Sequence, residues 1–220
     1  MRISILTLFP ELFEGFLSTS IIKRAIEKGK VSFDIVNIRD FAKNSYGQVD
    51  DTPYGGGAGM VMMIEPVVDA INSIKTDEAK IILMTPSGRP FKQKIALDLR
   101  QEKHLILICG HYEGIDERIL NYVDMELSIG DYVLTGGEIP SMVVSDAIVR
   151  LLDGVIKRES YEEESFKENL LDYPTYTKPA SFDGFDVPEV LLSGHHANIE
   201  KWRREQARMK TEKNRPDLLD

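Results

Sequence analysis

Apolar residues in this 220-residue chain fall into short, nearly continuous runs that alternate with stretches of helical periodicity. Residues 3–8 are almost all apolar, as expected of a strand buried on both faces. Residues 11–28 then place Leu12, Phe13, Phe16, Leu17, Ile21, Ile22, Ala25 and Ile26 on one helical face, until Gly29 stops the pattern. Further on, 31–38, 80–85 and 105–109 read as strands, and 65–74 and 91–102 as helices, with Pro66 in a first turn. The run Tyr132-Val133-Leu134 reads as one more strand end, and 141–152 as the helix that follows Pro140. The β-α-β order predicts an α/β domain built on a parallel sheet with helices on both faces.

Three of these strand ends, near Pro86, Gly110 and Gly136, run into turns that contain glycine. The stretch 109–140 holds two of them, with Glu113 and Asp116 after the first and Glu138 after the second. In open α/β sheets ligands bind beyond the carboxyl ends of strands, where backbone amides are free and glycine permits close approach. A small-molecule pocket is therefore expected where the three ends converge. Ordinary turns would explain the glycines but not the acidic residues beside them.

Two other regions break the alternation. Residues 50–63, DDTPYGGGAGMVMM, put four glycines into five positions behind a pair of aspartates. No Lys-Ser or Lys-Thr follows, so this is not a nucleotide P-loop. It reads either as a flexible connection, which composition favours by about two to one, or as a loop whose bare backbone lies against a ligand. The apolar run Met60 to Met63 argues that its end is anchored. Residues 159–172 carry six acids against Lys167 alone, the composition of a solvated linker. The Pro- and Gly-containing segment after it suits a surface strap. The tail from 195 reverses sign, with seven basic residues against five acids and Trp202 flanked by cations on a helix. A salt-bridged surface helix and a small basic module that grips phosphate explain this equally well.

Net charge is −9 and the pI is near 5.1, so no global positive field recruits nucleic acid; any such contact needs a local basic surface. The single cysteine, Cys109, excludes an intramolecular disulfide and suits a reducing compartment. No apolar run approaches the ~20 residues of a membrane helix, so a soluble, cytoplasmic protein is expected. His104, His111, His195 and His196 form no Cys-x-x-Cys or His-Glu-x-x-His spacing, so no metal ligands are named. Cys109 ends an apolar strand, where structural cysteines prevail over nucleophiles. Acid–base chemistry is better supported, with Glu113, Asp116, Glu138 and Asp172 as candidates and Arg118 and Arg158 as cationic counterparts. Asp116 and Glu117 also suit a helix N-terminus. Asp172 follows Leu170-Leu171 and precedes Tyr173, an apolar setting expected to raise its pKa and make it a stronger base.

Five segments in order, PYGGGAGMVM, GHYEGIDER, SIGDYVLTGGE, the SF…LLDYPTYTKP stretch (165–179) and VPEVLLSGHHANIEKWR, resemble the bacterial tRNA (guanine-N1)-methyltransferase family. The resemblance runs from the first strand to the last helix. It implies the SPOUT class, with a deep trefoil knot in a 1–158 domain that binds S-adenosylmethionine, a 159–178 linker, and a small helical tRNA-binding domain over 179–220. Carried over residue by residue, the donor site is Thr85, Pro86, Gly110, Tyr112, Glu113, Gly114, Ser128, Ile129, Gly130, Asp131, Tyr132, Val133, Leu134, Gly136, Gly137 and Pro140.

The same resemblance makes Asp172 the base that removes the N1 proton. It gives the cation at O6 to the 157–159 segment, where Arg158 is preferred to Lys157 on chemistry, and to Glu113 the placing of base or donor. It further implies a homodimer with a composite site and a tRNA substrate held by its anticodon arm, with guanosine 37 preceded by guanosine 36. Magnesium dependence is associated with the family, without nameable ligands here. The alternatives are a SPOUT methyltransferase acting on another RNA or atom, and a non-catalytic RNA- or nucleotide-binding protein.

Overall fold

A computed structural model describes residues 1–157 and 164–219. The chain divides into two compact units, Met1–Ile156 and Lys157–Asp220.

In the first unit, β1 (Arg2–Thr7) is followed by the short α1 (Glu14–Leu17), α2 (Ser20–Glu27) and β2 (Ser32–Asn37). The single helix expected over 11–28 is broken. The Ser18 and Thr19 hydroxyls both bond back to the Gly15 carbonyl, at 3.4 and 2.7 Å, and Ser20 takes a left-handed φ of 51°. Hydroxyls that satisfy carbonyls locally compete with the helical ladder. The chain continues through β3 (Asp50–Asp51), β4 (Val61–Met62), α3 (Ile64–Ile74), β5 (Ala79–Pro90), α4 (Gln93–Leu99), β6 (His104–Cys109), β7 (Met125–Ser128) and α5 (Glu138–Val149).

Five strands form one sheet in the order β2-β1-β6-β5-β7, and every pairing is parallel. The central strand β6 is buried at all six positions, which is why it reads as an unbroken apolar run. Successive side chains point to opposite faces. Leu6, Ile81, Leu83, Ile106 and Ile108 join Val67, Ala70 and Ile71 of α3 in one core. On the other face, Thr7 and Cys109 meet Glu138 and Ser141 of α5. The sheet is therefore covered on both faces, as the sequence pattern predicts.

Two strand assignments change. The expected 80–85 strand continues to Pro90 through a register shift: Met84 and Arg89 both align with Leu127. The last strand is Met125–Ser128, not the 132–134 run, whose Tyr132, Val133 and Leu134 are 54, 85 and 38% exposed. Three apolar residues in a row were insufficient to mark burial there.

The second unit contains a two-stranded hairpin, β8 (Ser181–Phe182) with β9 (Phe185–Asp186), then α6 (Glu189–Leu192) and the long α7 (His196–Asn214). Residues 164–178 of the acidic stretch and strap lie along α7. The Leu171 amide donates to Thr211 Oγ1 at 2.9 Å, the Tyr176 and Trp202 rings stand 6.4 Å apart, and the Arg203 guanidinium lies 4.6 Å from the centre of the Tyr173 ring.

Candidate active site

The middle of β5 (83–87), at its register shift, and the carboxyl ends of β6 and β7 open onto one cleft of about 370 Å³, within the size range of small-molecule sites. Its walls are three loops held against one another by backbone bonds. After β6 the chain turns through Gly110 and through Tyr112, whose φ of 58° is left-handed. The Gly137 amide donates to the Gly110 carbonyl at 2.9 Å, and His111 bridges Gly136. Gly137 must be glycine: a Cβ there would lie 2.6 Å from Cys109 Cα and 3.0 Å from the Gly110 nitrogen.

The glycine-rich 55–59 segment is anchored at its end, as the Met60–Met63 run suggests. The Glu113 amide donates to the Met60 carbonyl at 3.0 Å, and the Met62 amide to the Gly114 carbonyl at 2.9 Å. Met62 is fully buried, and Gly59 lies so close to Glu113 that a Cβ would come within 2.5 Å of its carboxylate.

Of the sixteen residues expected at a donor site, all but Asp131 line this cleft. Ser87 and Glu126 also line it and escape the sequence reading. The Ser87 hydroxyl donates to Glu126 Oε1 at 3.3 Å and lies 2.9 Å from Thr85 Oγ1. A lone acid inside the short MELS strand was the available signal for Glu126. Among the described residues, the lining includes Glu113, Glu117 and Glu126 and no lysine or arginine. Carboxylates and apolar walls suit a small cationic ligand and disfavour a phosphate.

Glu138, an acid–base candidate by sequence, is instead 4% exposed and receives the Thr7 hydroxyl at 2.8 Å; it is not among the lining residues. Cys109 is fully buried, 3.2 Å from Ser141 Oγ, and burial pushes its thiol far up, with Glu138 adding to the effect. It is a packed side chain, not a nucleophile. Asp116 accepts from the Arg118 backbone amide at 3.0 Å and pairs with the Arg118 guanidinium at 2.6 Å. Arg118 holds its carboxyl below the ordinary range, so it caps a 3-10 turn.

Asp172 lies in the second unit, beside a groove of about 320 Å³ whose lining includes Leu170, Leu171, Tyr173, Arg203 and Arg204. The expectation of a raised pKa is overturned. Its side chain is 47% exposed, receives the Ser165 hydroxyl at 2.8 Å and stands 3.2 Å from Lys210 Nζ. The Ser165 bond, against partial burial and with Lys210 assisting, holds the carboxyl below its ordinary value. Leu170 and Leu171 flank it in sequence without enclosing it. Arg158 lies outside the described residues, and Lys157 is exposed.

No group of three or more His, Cys, Asp or Glu placed to hold a metal ion occurs among the described residues. No helix among them is long and apolar enough to cross a membrane.

Comparison with known proteins accounts for the whole chain. The family model for tRNA (guanine-1)-methyltransferase TrmD matches residues 1–220. A Malacoplasma penetrans protein named tRNA (guanine-N(1)-)-methyltransferase is 57% identical over 219 residues, covering 100% of this chain and 97% of the relative. Proteins of the same name from Clostridium botulinum and Staphylococcus haemolyticus are 55 and 54% identical, each covering 100% of this chain and 92 and 91% of the relative.

Proposed function

The chain belongs to the tRNA (guanine-1)-methyltransferase family, and from that premise we propose that it methylates N1 of guanosine 37 in tRNA with S-adenosylmethionine as donor and Asp172 as general base. The observation that carries this reading is the cleft at the sheet edge, lined among the described residues by three glutamates and by no lysine or arginine. That lining fits a sulfonium compound with a cationic amino group. When bound, the donor supplies a methyl group: the N1 electron pair forms the new N–C bond as the C–S bond breaks with its electrons passing to sulfur.

This chain's residues do the rest. The lining residues from Thr85 to Pro140, Glu113 among them, hold and orient the donor. Asp172 accepts the proton that leaves N1, so the nitrogen is neutral in the product. Arg158 stabilises the charge that spreads onto O6 as the proton departs. The loops around the cleft adopt the family's trefoil knot, and a homodimer completes the active site. The helical 179–220 region, joined through the 159–178 linker, grips the anticodon arm while the target base is extruded. Magnesium dependence belongs to the family reading, but no acidic cluster among the described residues fits the ion, so no step is routed through it. The setting is the cytoplasm, where tRNA is found.

The test is to incubate the protein with labelled S-adenosylmethionine and tRNA transcripts that differ only at positions 36 and 37. Label should enter only transcripts with guanosine 37, and most readily those with guanosine 36. Labelling indifferent to position 37 would defeat the reading and point to another RNA or atom.

A further inference from the structure

Among the described residues, the carboxylate of Asp172 is held at one oxygen. The Ser165 hydroxyl donates to Oδ1 at 2.8 Å, and Lys210 Nζ donates to the same atom at 3.2 Å and to the Asp172 carbonyl at 3.0 Å. Among the described residues, Oδ2 has no hydrogen bond.

The local chain explains how this arrangement is kept. Phe166, Glu168 and Asn169 all take left-handed φ values, and the Phe166 amide closes on the Leu170 carbonyl at 2.6 Å. This tight loop returns Ser165 to Asp172, whose own amide bonds Ser165 Oγ at 3.1 Å. The next anchor is Thr211, fully buried on α7, which receives the Leu171 amide and donates to the Ala207 carbonyl at 2.7 Å. Lys210 and Thr211 are neighbours on one helix, so the residue that clamps the loop also sets the reach of the lysine.

We propose that Lys210 and Ser165 are positioning residues: by occupying Oδ1 they keep Asp172 an acceptor-only carboxylate whose free Oδ2 meets the N1–H of the target guanine. The inference rests on Asp172 being the base. Guanine presents a hydrogen at N1, whereas adenine presents a lone pair there, so an acceptor-only carboxylate selects the former. A protonated acid would lose that selection along with its capacity to take the proton. Among the described residues, the other charged groups facing the groove are Glu164 and Glu168 from the loop and Glu200, Arg203 and Arg204 from α7. The Ser165 hydroxyl and, after it, the Lys210 ammonium are the direct contacts that keep the carboxylate ionised against its partial burial. The depressed pKa of Asp172 agrees with the geometry.

The experiment measures kcat and tRNA KM from pH 5 to 9 for the full chain and for Lys210→Met, Lys210→Arg, Ser165→Ala and Asp172→Asn. Lys210→Met should lower kcat roughly tenfold through misplacement of the carboxylate and move the acid limb of the kcat profile to higher pH. Lys210→Arg should restore both. Loss confined to tRNA KM, with kcat and the acid limb unchanged, would make Lys210 a phosphate contact and overturn the proposal. If thermal unfolding shows that Lys210→Met does not fold, Ser165→Ala decides by the same two readouts. Full activity in Asp172→Asn would remove the base reading itself. An inactive Asp172→Asn beside an unchanged Lys210→Met would remove only the role given to Lys210.

Discussion

The cleft and the Asp172 loop are built by opposite means. Around the cleft, backbones touch: Gly137 lies where no side chain fits, and a buried carboxylate, Glu138, ties the start of α5 to β1 through Thr7. Around Asp172, side chains do the holding, with a serine and a lysine bonded to a carboxylate that is about half exposed. The first arrangement cannot change without disturbing the core. The second can lose one contact and leave the fold intact. Donor binding and stability should therefore vary together in the first region, whereas turnover should vary alone in the second.

The sharpest test of that contrast is Asp172→Asn. It should leave donor binding by calorimetry and the thermal midpoint unchanged, while turnover falls by about a hundredfold or more. A matching loss of donor affinity would erase the distinction.

Gly137→Ala should do the reverse. The new methyl group must displace Cys109 and Gly110, at a cost of about 1–3 kcal/mol of stability, and donor affinity should fall with it. A variant with the parent's thermal midpoint and donor affinity would show that the loop crossing tolerates side chains.

A third effect separates the buried sheet from the exposed loop by pH. His104 is 3% exposed, with Nε2 2.9 Å from Ser4 Oγ and Nδ1 3.0 Å from Thr76 Oγ1. Burial, and then the charge of Arg2, push its pKa below the ordinary 6.5, against the pull of Asp34. Protonation therefore favours the unfolded chain. The stabilisation is fully present above about pH 6.5 and is lost as pH falls through the folded value. The thermal midpoint should drop on acidification, and His104→Gln should drop less steeply over the same interval. Parallel curves would show that this histidine does not couple folding to pH.

The smallest effect belongs to the exposed face of α7. Lys201 and Glu205 stand 3.9 Å apart with side chains 78 and 58% exposed. Lys201→Ala should change stability by no more than about 0.5 kcal/mol in chemical denaturation. A larger loss would mean that the charged surface of the second unit contributes to its fold.

Much of the fold and the place of the cleft were legible because burial on both faces leaves an unambiguous trace. The run from Leu105 to Ile108 can be little else than a central strand, and a glycine turn after such a strand marks a ligand edge. Fifteen residues carried over by resemblance line one cleft for that reason. Where side chains are partly exposed, the trace fades. Tyr132-Val133-Leu134 has the composition of a strand and is an exposed loop, while the strand Met125–Ser128 holds only two apolar residues, Met125 and Leu127. The break at Ser18 and Thr19 depends on hydroxyls choosing a carbonyl, which periodicity does not record.

The chain by itself determined the alternation of strands and helices, the parallel sheet and the family, since these follow from local pattern and from motifs with fixed spacing. Only the tertiary structure decided the state of the carboxylates. Glu138 became a buried tie, Asp116 a cap, and Asp172 an ionised group held by a lysine 38 residues away. A pKa depends on which charges and dipoles lie within a few ångströms, and sequence neighbours such as Leu170 and Leu171 do not determine that.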